Sequence, residues 1–263
     1  MIAFRKKLIL GAASLALLCT PALAADESAS LSGSIALTSD YRFRGISQND
    51  TDPAPQLTLN LVGPDGWYAG TFLSKINFND GPSGAYVSNH NTSLEWDIYA
   101  GKHFDLDGTG LTLQALYYAY PEHDGLPGAA RLSFFEGSAA LSHTFDNLTV
   151  GATVAVSPDF FGESGTGVWL GGTASYVVND WVTVSGNVGH QWAETLNNAG
   201  TGFPYTHWDL GVTATWNGIS LDLRYIDTSI NKGTCEGFNG PRNNWCGPTA
   251  VATVSYAFDV FGG

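Results

Sequence analysis

Residues 31–44 read LSGSIALTSDYRFR, and their side chains separate into two sets when read with a period of two. The mostly apolar set is Leu31, Gly33, Ile35, Leu37, Ser39, Tyr41 and Phe43, and the mostly polar set is Ser32, Ser34, Ala36, Thr38, Asp40, Arg42 and Arg44. The stretch can cross a bilayer core at a tilt, which takes roughly 9–11 residues. It predicts a membrane-spanning strand with one face toward lipid and one toward a watery interior.

The same alternation recurs along the chain, with short turns and long loops following one another in strict order. The predicted strands are 31–44, 56–62, 67–78, 93–104, 110–120, 131–145, 148–156, 168–178, 181–193, 206–216, 219–228 and 249–258. A strand edge cannot stay unpaired in hydrocarbon, so the last strand must close on the first. We therefore expect an all-β fold, a transmembrane antiparallel up-and-down β-barrel of about twelve strands with short periplasmic turns and long external loops.

Tryptophans cluster at the ends of these strands. Trp67, Trp181 and Trp216 adjoin short turns, and Trp96, Trp169 and Trp208 lie near long loops. This placement predicts the two aromatic girdles of an outer-membrane barrel.

The composition agrees with a barrel rather than with a soluble or helical membrane protein. Only 13 % of the residues are charged, whereas about a quarter are charged in soluble domains. No segment after residue 24 approaches the roughly 20 apolar residues of a membrane helix. The net charge of −13 argues against nucleic acid as a partner.

The first 24 residues have the pattern of a secretory signal peptide. Three basic residues at 5–7 precede an apolar run at 8–18, and Ala22-Leu23-Ala24 forms a cleavage site. Cys19 could instead be a lipoprotein cysteine, but Leu18 is a poor residue before such a site. We expect a signal peptide at 1–24 and the barrel at 25–263, in the outer membrane of a Gram-negative bacterium.

The expected partners follow from that location. The barrel would contact outer-membrane lipid and lipopolysaccharide. Its last strand, which carries Tyr256 and Phe258, would be read by the barrel-assembly machinery.

Two cysteines remain after cleavage, Cys235 and Cys246, in a stretch rich in Gly and Asn. In an exported protein this pair predicts a disulfide that closes one loop, with two free thiols as the alternative. A zinc site would need further ligands, and the loop contains no histidine.

The charged residues within the predicted strands fall on the polar face. A basic residue on the lipid face at mid-bilayer would cost roughly 2–4 kcal/mol, so this placement indicates a polar interior. The set is Asp40, Arg42, Arg44, Lys75, Glu95, Asp97, Glu136, Asp209, Asp222 and Arg224, with His103 and His207. Lys75 is assigned to it because Tyr68, Phe72, Ile76 and Phe78 occupy the other face of the predicted strand 67–78.

The charged interior has two alternative interpretations. The charges could line a water-filled path for small hydrophilic solutes or ions, or they could pair across strands and plug the barrel. If Arg42 and Arg44 are neutralised near Asp40, the remaining interior is acidic and favours cations. A passive channel needs no cofactor and no catalytic residue.

Two other classes are less well supported by the residues. A hydrolase needs Ser and His on the same surface, but Ser142 and His143 are adjacent and face opposite sides of a strand. A binding barrel could hold divalent cations on its acidic external loops, although none has a calcium-loop spacing. The loop carboxylates are Asp50, Asp52, Asp80, Glu122, Asp124, Asp159, Glu163 and Glu194.

The run SDYRFRGISQ at 39–48 resembles the opening motif of the TorF family of porin-like, conserved hypothetical outer-membrane proteins of proteobacteria. Further similarities are EWDIYAG at 95–101, LDLRY at 221–225 with Asp227-Thr228, and the cysteine loop before the final strand. The resemblance spans nearly the whole mature chain. It implies an outer-membrane barrel with a channel function and supplies no substrate.

Overall fold

The computed structural model describes residues 29–78, 92–122, 131–195, 203–239 and 244–262. The predicted signal peptide at 1–24 lies outside them. The strands are β1 (Ser30–Thr38), β2 (Arg42–Phe43), β3 (Ile46–Ser47), β4 (Ala54–Val62), β5 (Trp67–Lys75), β6 (Leu94–Leu106), β7 (Thr109–Ala119), β8 (Phe134–Phe145), β9 (Leu148–Ser157), β10 (Gly167–Val177), β11 (Val182–Ala193), β12 (Tyr205–Trp216), β13 (Ile219–Thr228) and β14 (Thr249–Phe261). The α-helix α1 (Lys232–Asn239) follows β13.

Twelve of these strands close into an antiparallel barrel, and β2 and β3 form a separate hairpin. Each barrel strand pairs with the next, and β14 pairs with β1, with Ile35 opposite Tyr256. This closure leaves no strand edge unpaired. The predicted all-β barrel of about twelve strands is confirmed.

Short turns and long loops alternate around the barrel, as the sequence pattern predicts. Two of the short turns are Asp107-Gly108 and Asn217-Gly218, whose four residues all have positive φ. That conformation is typical of type I′ hairpin turns. Because neighbouring strands are antiparallel, the strand ends that lead into the long connections all lie at the end of the barrel opposite the short turns, called here the long-loop end.

The outer surface is apolar. Exposed side chains such as Ile35, Leu37, Leu210 and Leu223 face away from the barrel, and Trp67, Trp181 and Trp216 are exposed beside short turns. Trp96 and Trp208 are exposed near the long-loop end. A continuous apolar band of this kind is suited to lipid. No helix among the described residues is long and apolar enough to span a membrane.

Trp169 departs from the predicted girdle, because it is buried inside the barrel. It contacts the Arg44 guanidinium and His207. Its position on β10 places it on the interior face of the sheet, which is filled at this end.

The interior differs between its two halves. The half near the short turns is lined by small polar side chains. Some remain partly exposed, such as Ser34, Thr173 and Thr213, and others are buried, such as Ser175 and Ser220. The half near the long loops is filled. An apolar cluster there comprises Tyr41, Ala54, Phe72, Ile76, Phe78, Tyr99, Leu116, Tyr118, Tyr120, Leu132 and Phe134.

The first strand ends earlier than predicted. β1 stops at Thr38, and the chain turns inward, so Tyr41 and Phe43 pack in the interior instead of facing lipid. The Asp40 carboxylate stabilises this turn because it accepts hydrogen bonds from Arg42 and Ser47 of the same segment.

Lys75 was assigned to the interior, and this prediction is wrong. The side chain is exposed at the end of β5, while Phe72, Ile76 and Phe78 are buried inside. The apolar face of this segment packs into the filled half of the interior rather than against lipid. At the end of its strand, Lys75 reaches water without crossing the apolar band.

Candidate functional site: the inner loop and its contacts

The segment 39–53, called here the inner loop, folds into the barrel and carries the hairpin β2–β3. The two residues at the hairpin tip, Arg44 and Gly45, have φ of 48° and 85°. A Cβ atom on Gly45 would lie 2.5 Å from Cγ2 of Thr228 and 2.9 Å from Cβ of His207. The tip therefore lies directly against the barrel wall at β12 and β13, where only glycine fits.

Arg44 joins the inner loop to two separate strands. Its guanidinium donates to both Glu136 carboxylate oxygens at 2.7 and 2.8 Å, and to Oε1 of Gln191 at 2.5 Å. It also lies 5.0 Å from the ring centroid of Trp169, within cation–π distance. We expected Arg44 to be neutralised near Asp40, but its partner is Glu136.

Arg42 is neutralised by Asp40, as expected, at 2.6 Å between Nε and Oδ2. The remaining guanidinium hydrogens are donated to main-chain carbonyls. Those carbonyls belong to Gly45, Asn244, Trp245 and Gly247, at 2.6 to 3.1 Å. Arg42 thus links the inner loop to the segment around Cys246.

That segment is closed by the Cys235–Cys246 disulfide, so the predicted bond is present in the structure. Two further hydrogen bonds tie it to the inner loop. The Ser47 amide donates to the Trp245 carbonyl at 2.8 Å, and the Trp245 indole donates to the Asp50 carboxylate at 2.8 Å. The disulfide-closed loop therefore holds the inner loop at the long-loop end.

Tyr41 makes the third link between the inner loop and the barrel wall. Its hydroxyl donates to Oε1 of Glu95 on β6 at 2.6 Å, and Tyr120 donates to Oε2 at 2.9 Å. Burial, and then the charge of Glu95, raise the pKa of Tyr41 well above its usual range. The hydroxyl therefore keeps its proton and remains a donor.

Asp97 lies two residues from Glu95, on the same interior face of β6. Its side chain is fully buried, and its two carboxylate oxygens have no hydrogen-bond partner among the described residues. The register places Phe72 on one side and Tyr118 on the other. Of the interior charged residues that the structure describes, Asp97 is thus the one whose carboxylate lacks hydrogen-bond partners on both oxygens.

A separate charge group lies on β12 and β13. Arg224 forms ion pairs with Asp209 and with Asp222, the latter at 3.1 Å, and donates to the Ser185 hydroxyl. Thr213 also donates to Oδ2 of Asp222, and Asn187 donates to Oδ2 of Asp209. Each carboxylate oxygen of Asp209 and Asp222 therefore accepts at least one hydrogen bond.

The charged residues assigned to the interior, apart from Lys75, are buried there. They are Asp40, Arg42, Glu95, Asp97, Glu136, Asp209, Asp222 and Arg224, together with Arg44, whose side chain is 9% exposed. Of the two histidines, His207 accepts a hydrogen bond from the Trp169 indole, and His103 is bonded to Thr112. No three His, Cys, Asp or Glu side chains of the described segments converge as a metal cluster would require.

Sequence reasoning missed the neutral partners of these charges. Gln191 and Trp169 surround Arg44, and Tyr41 and Tyr120 hold Glu95. One weak signal in the sequence could have indicated these partners. Aromatic residues occupy inward-facing positions of the strands, although the barrel interior was expected to be polar.

Comparisons with known proteins agree with the fold. A profile of the family described as "Bacterial protein of unknown function (Gcw_chp)" matches residues 22–258. No curated protein matches the sequence significantly. The family of this profile has no assigned activity, and the match does not establish membership of the TorF family.

Solved structures of outer-membrane channels share the architecture at very low sequence identity. A KdgM porin matches with a TM-score of 0.52 and 8% identity, covering 87% of this chain and 99% of its own. A NanC porin gives 0.51 and 10%, covering 87% and 98%. The COG4313 outer membrane channel from Pseudomonas putida F1 gives 0.51 and 12%, covering 88% and 95%.

Proposed function

We propose that this chain, which belongs to the Gcw_chp family of bacterial proteins of unknown function, is an outer-membrane channel for the passive diffusion of small hydrophilic solutes or ions. The observation that supports this proposal most directly is the closed twelve-stranded barrel, which has an apolar exterior and a polar, partly exposed interior in its short-turn half. Such a barrel needs lipid outside and water inside. The shared fold of solved porins supports the same reading.

The inner loop would set the width of the channel. It occupies the long-loop half and contacts β6, β8 and β11 through Tyr41 and Arg44. A path past this loop is narrow, so the proposed cargo is small. Selectivity would come from pore width and the field of the interior charges.

We propose a preference for cations. The interior set contains six carboxylates and three guanidinium groups. Arg42 is paired with Asp40, Arg44 with Glu136, and Arg224 with Asp209 and Asp222. Among the residues that the structure describes, Glu95 and Asp97 have no basic partner, which leaves an acidic interior.

A plugged binding barrel is the second candidate, and one observation favours it. The apolar cluster around Tyr41, Phe72 and Tyr118 packs the long-loop half tightly, with Tyr118 and Phe134 stacked at 4.2 Å between ring centroids. A barrel closed in this way would bind ligands at its external loops and conduct nothing.

Conductance of the refolded mature protein in a planar bilayer under a salt gradient tests the proposal. In a monovalent salt with EDTA, discrete steps with a cation-selective reversal potential are expected, and Glu95→Gln with Asp97→Asn should move that potential toward zero. A heat-modifiable gel shift shows independently that the barrel has folded. A folded protein that gives a silent bilayer would exclude the channel in favour of the plugged barrel.

A further inference from the structure

We propose that Glu95 and Asp97 form a binding site for one divalent cation of the calcium class, covered by the inner loop. The inference goes beyond the proposed channel and does not require conduction. It begins with Asp97, whose two carboxylate oxygens are fully buried and without a hydrogen-bond partner in the described part of the chain. A buried carboxylate without a partner is costly unless a counter-charge neutralises it.

The neighbouring charges do not supply that counter-charge. The three interior arginines are already engaged: Arg42 with Asp40, Arg44 with Glu136, and Arg224 with two aspartates. Glu95, two residues away on the same interior face of β6, is also acidic. Asp97 therefore lies in a negative environment.

Glu95 contributes the second carboxylate. It is buried and accepts hydrogen bonds from Tyr41 and Tyr120, both of which are neutral donors. These bonds stabilise Glu95 as an anion without removing its charge. When both carboxyls are ionised, the pair on β6 carries a charge of −2, which one divalent cation would neutralise.

The available ligand atoms are oxygens. Asp97 offers both carboxylate oxygens. The register places Ser74 opposite Glu95, and the Ser74 hydroxyl accepts a hydrogen bond from the Gln56 amide on β4. Hard cations prefer such ligands, and calcium accepts irregular sets of six to eight oxygens, which water can complete. Zinc and copper are disfavoured because the pair has no thiolate or imidazole beside it.

Ion binding at this site would affect the stability of the inner loop. Tyr41 belongs to the inner loop and donates to Glu95, and its ring packs at 5.8 Å from that of Phe72 beside Asp97. A cation held below Tyr41 would fix the position of Glu95. Binding should therefore stabilise the inner loop against the barrel wall.

Terbium luminescence gives a direct test, because Tyr41 and Tyr120 contact Glu95 and can sensitise a lanthanide bound there. The mature chain is refolded in detergent, without lipopolysaccharide, in either EDTA or calcium. We expect tyrosine-excited terbium emission that calcium displaces. We also expect a higher midpoint temperature of the heat-modifiable gel shift in calcium than in EDTA.

The variants separate this site from other carboxylates. Asp97→Asn is nearly isosteric and should weaken terbium binding at least tenfold and abolish the calcium effect on the midpoint. Glu95→Gln gives an independent second variant. Asp159→Asn alters a half-exposed loop carboxylate and should behave like the wild type.

Two results would overturn the site. Equal emission from wild type and Asp97→Asn would show that surface carboxylates bind the lanthanide. Absence of both emission and a calcium effect in the folded wild type would show that protons neutralise the pair. A silent bilayer with intact terbium binding would instead contradict the channel alone.

Discussion

At the residue scale, the ion pair of Arg44 and Glu136 is expected to be sensitive to mutation. Both side chains are buried, at 9% and 2% exposure, and Arg44 is held on a turn residue with positive φ. Removing one member of a buried ion pair leaves the other charge uncompensated, which costs far more than the pair itself is worth.

Arg44→Met should therefore lower the free energy of unfolding by about 3 kcal/mol, because Glu136 is left buried and unpaired. Denaturant unfolding in detergent or lipid vesicles measures the change. Adding Glu136→Leu should recover most of the loss, since two apolar side chains replace the pair.

The matched control for this prediction is Arg131→Met. Arg131 pairs with Asp159 at 2.8 Å, close to the 2.7 Å between Arg44 and Glu136, but both side chains of this control pair are largely exposed. Surface pairs contribute about 0–1 kcal/mol, so little change is expected. Equal losses in Arg44→Met and Arg131→Met would contradict the buried pairing.

Gly45 offers a second test at this scale, with Gly108 as its control. Both have φ above 80°, but a Cβ on Gly108 has nothing within 4 Å, whereas one on Gly45 collides with Thr228. Gly108→Ala should cost about 1 kcal/mol from backbone strain alone. Gly45→Ala should cost clearly more in the same unfolding assay, and identical losses would show that the hairpin tip does not lie against the wall.

At the scale of elements, the inner loop and the disulfide-closed loop form one unit. Arg42 donates to three carbonyls around Cys246, and Trp245 bonds to Asp50. The inner loop is thus held from two directions, by the barrel wall and by the long loop after β13.

Replacing both Cys235 and Cys246 by Ser should loosen this unit without opening the barrel. Trypsin is expected to cut after Arg42 or Arg44 severalfold faster, because their peptide bonds become accessible, and mass spectrometry identifies the fragments. Reduction of the wild type should reproduce the effect. Unchanged cleavage would show that the hydrogen bonds hold the inner loop without the disulfide.

At the scale of the whole molecule, the barrel and the inner loop are separable. Thr38 at the end of β1 lies directly opposite Ala54 at the start of β4. The two strands could therefore be joined by a tight turn. The wall would then lose only the hydrogen bonds between Ser39 and Ala252 of β14 and the contacts of the inner loop with the interior.

Replacing 39–53 with Asn-Gly should leave a folded, heat-modifiable barrel with a larger single-channel conductance. The expected reason is removal of the inner loop from the long-loop half, and planar bilayer recording measures it. A folded variant with unchanged conductance would show that ions bypass the inner loop.

The sequence by itself determined the barrel. Alternation with a period of two, the order of turns and loops, and the lack of a helical span led to twelve strands, because the fold of a barrel strand depends on local patterning against lipid and water. The interior placement of Glu95, Asp97 and Asp222 came from the same alternation, and the cysteine pair predicted its bond.

Only the tertiary structure decided what fills the barrel. Tyr41, Phe72 and Trp169 have the pattern of lipid-facing or girdle residues, yet they pack inside, and Lys75 lies outside. An apolar side chain satisfies the same local pattern against lipid or against a folded loop. Contacts between residues more than 90 positions apart, such as Arg44 with Glu136, choose between the two environments, and no local periodicity encodes them.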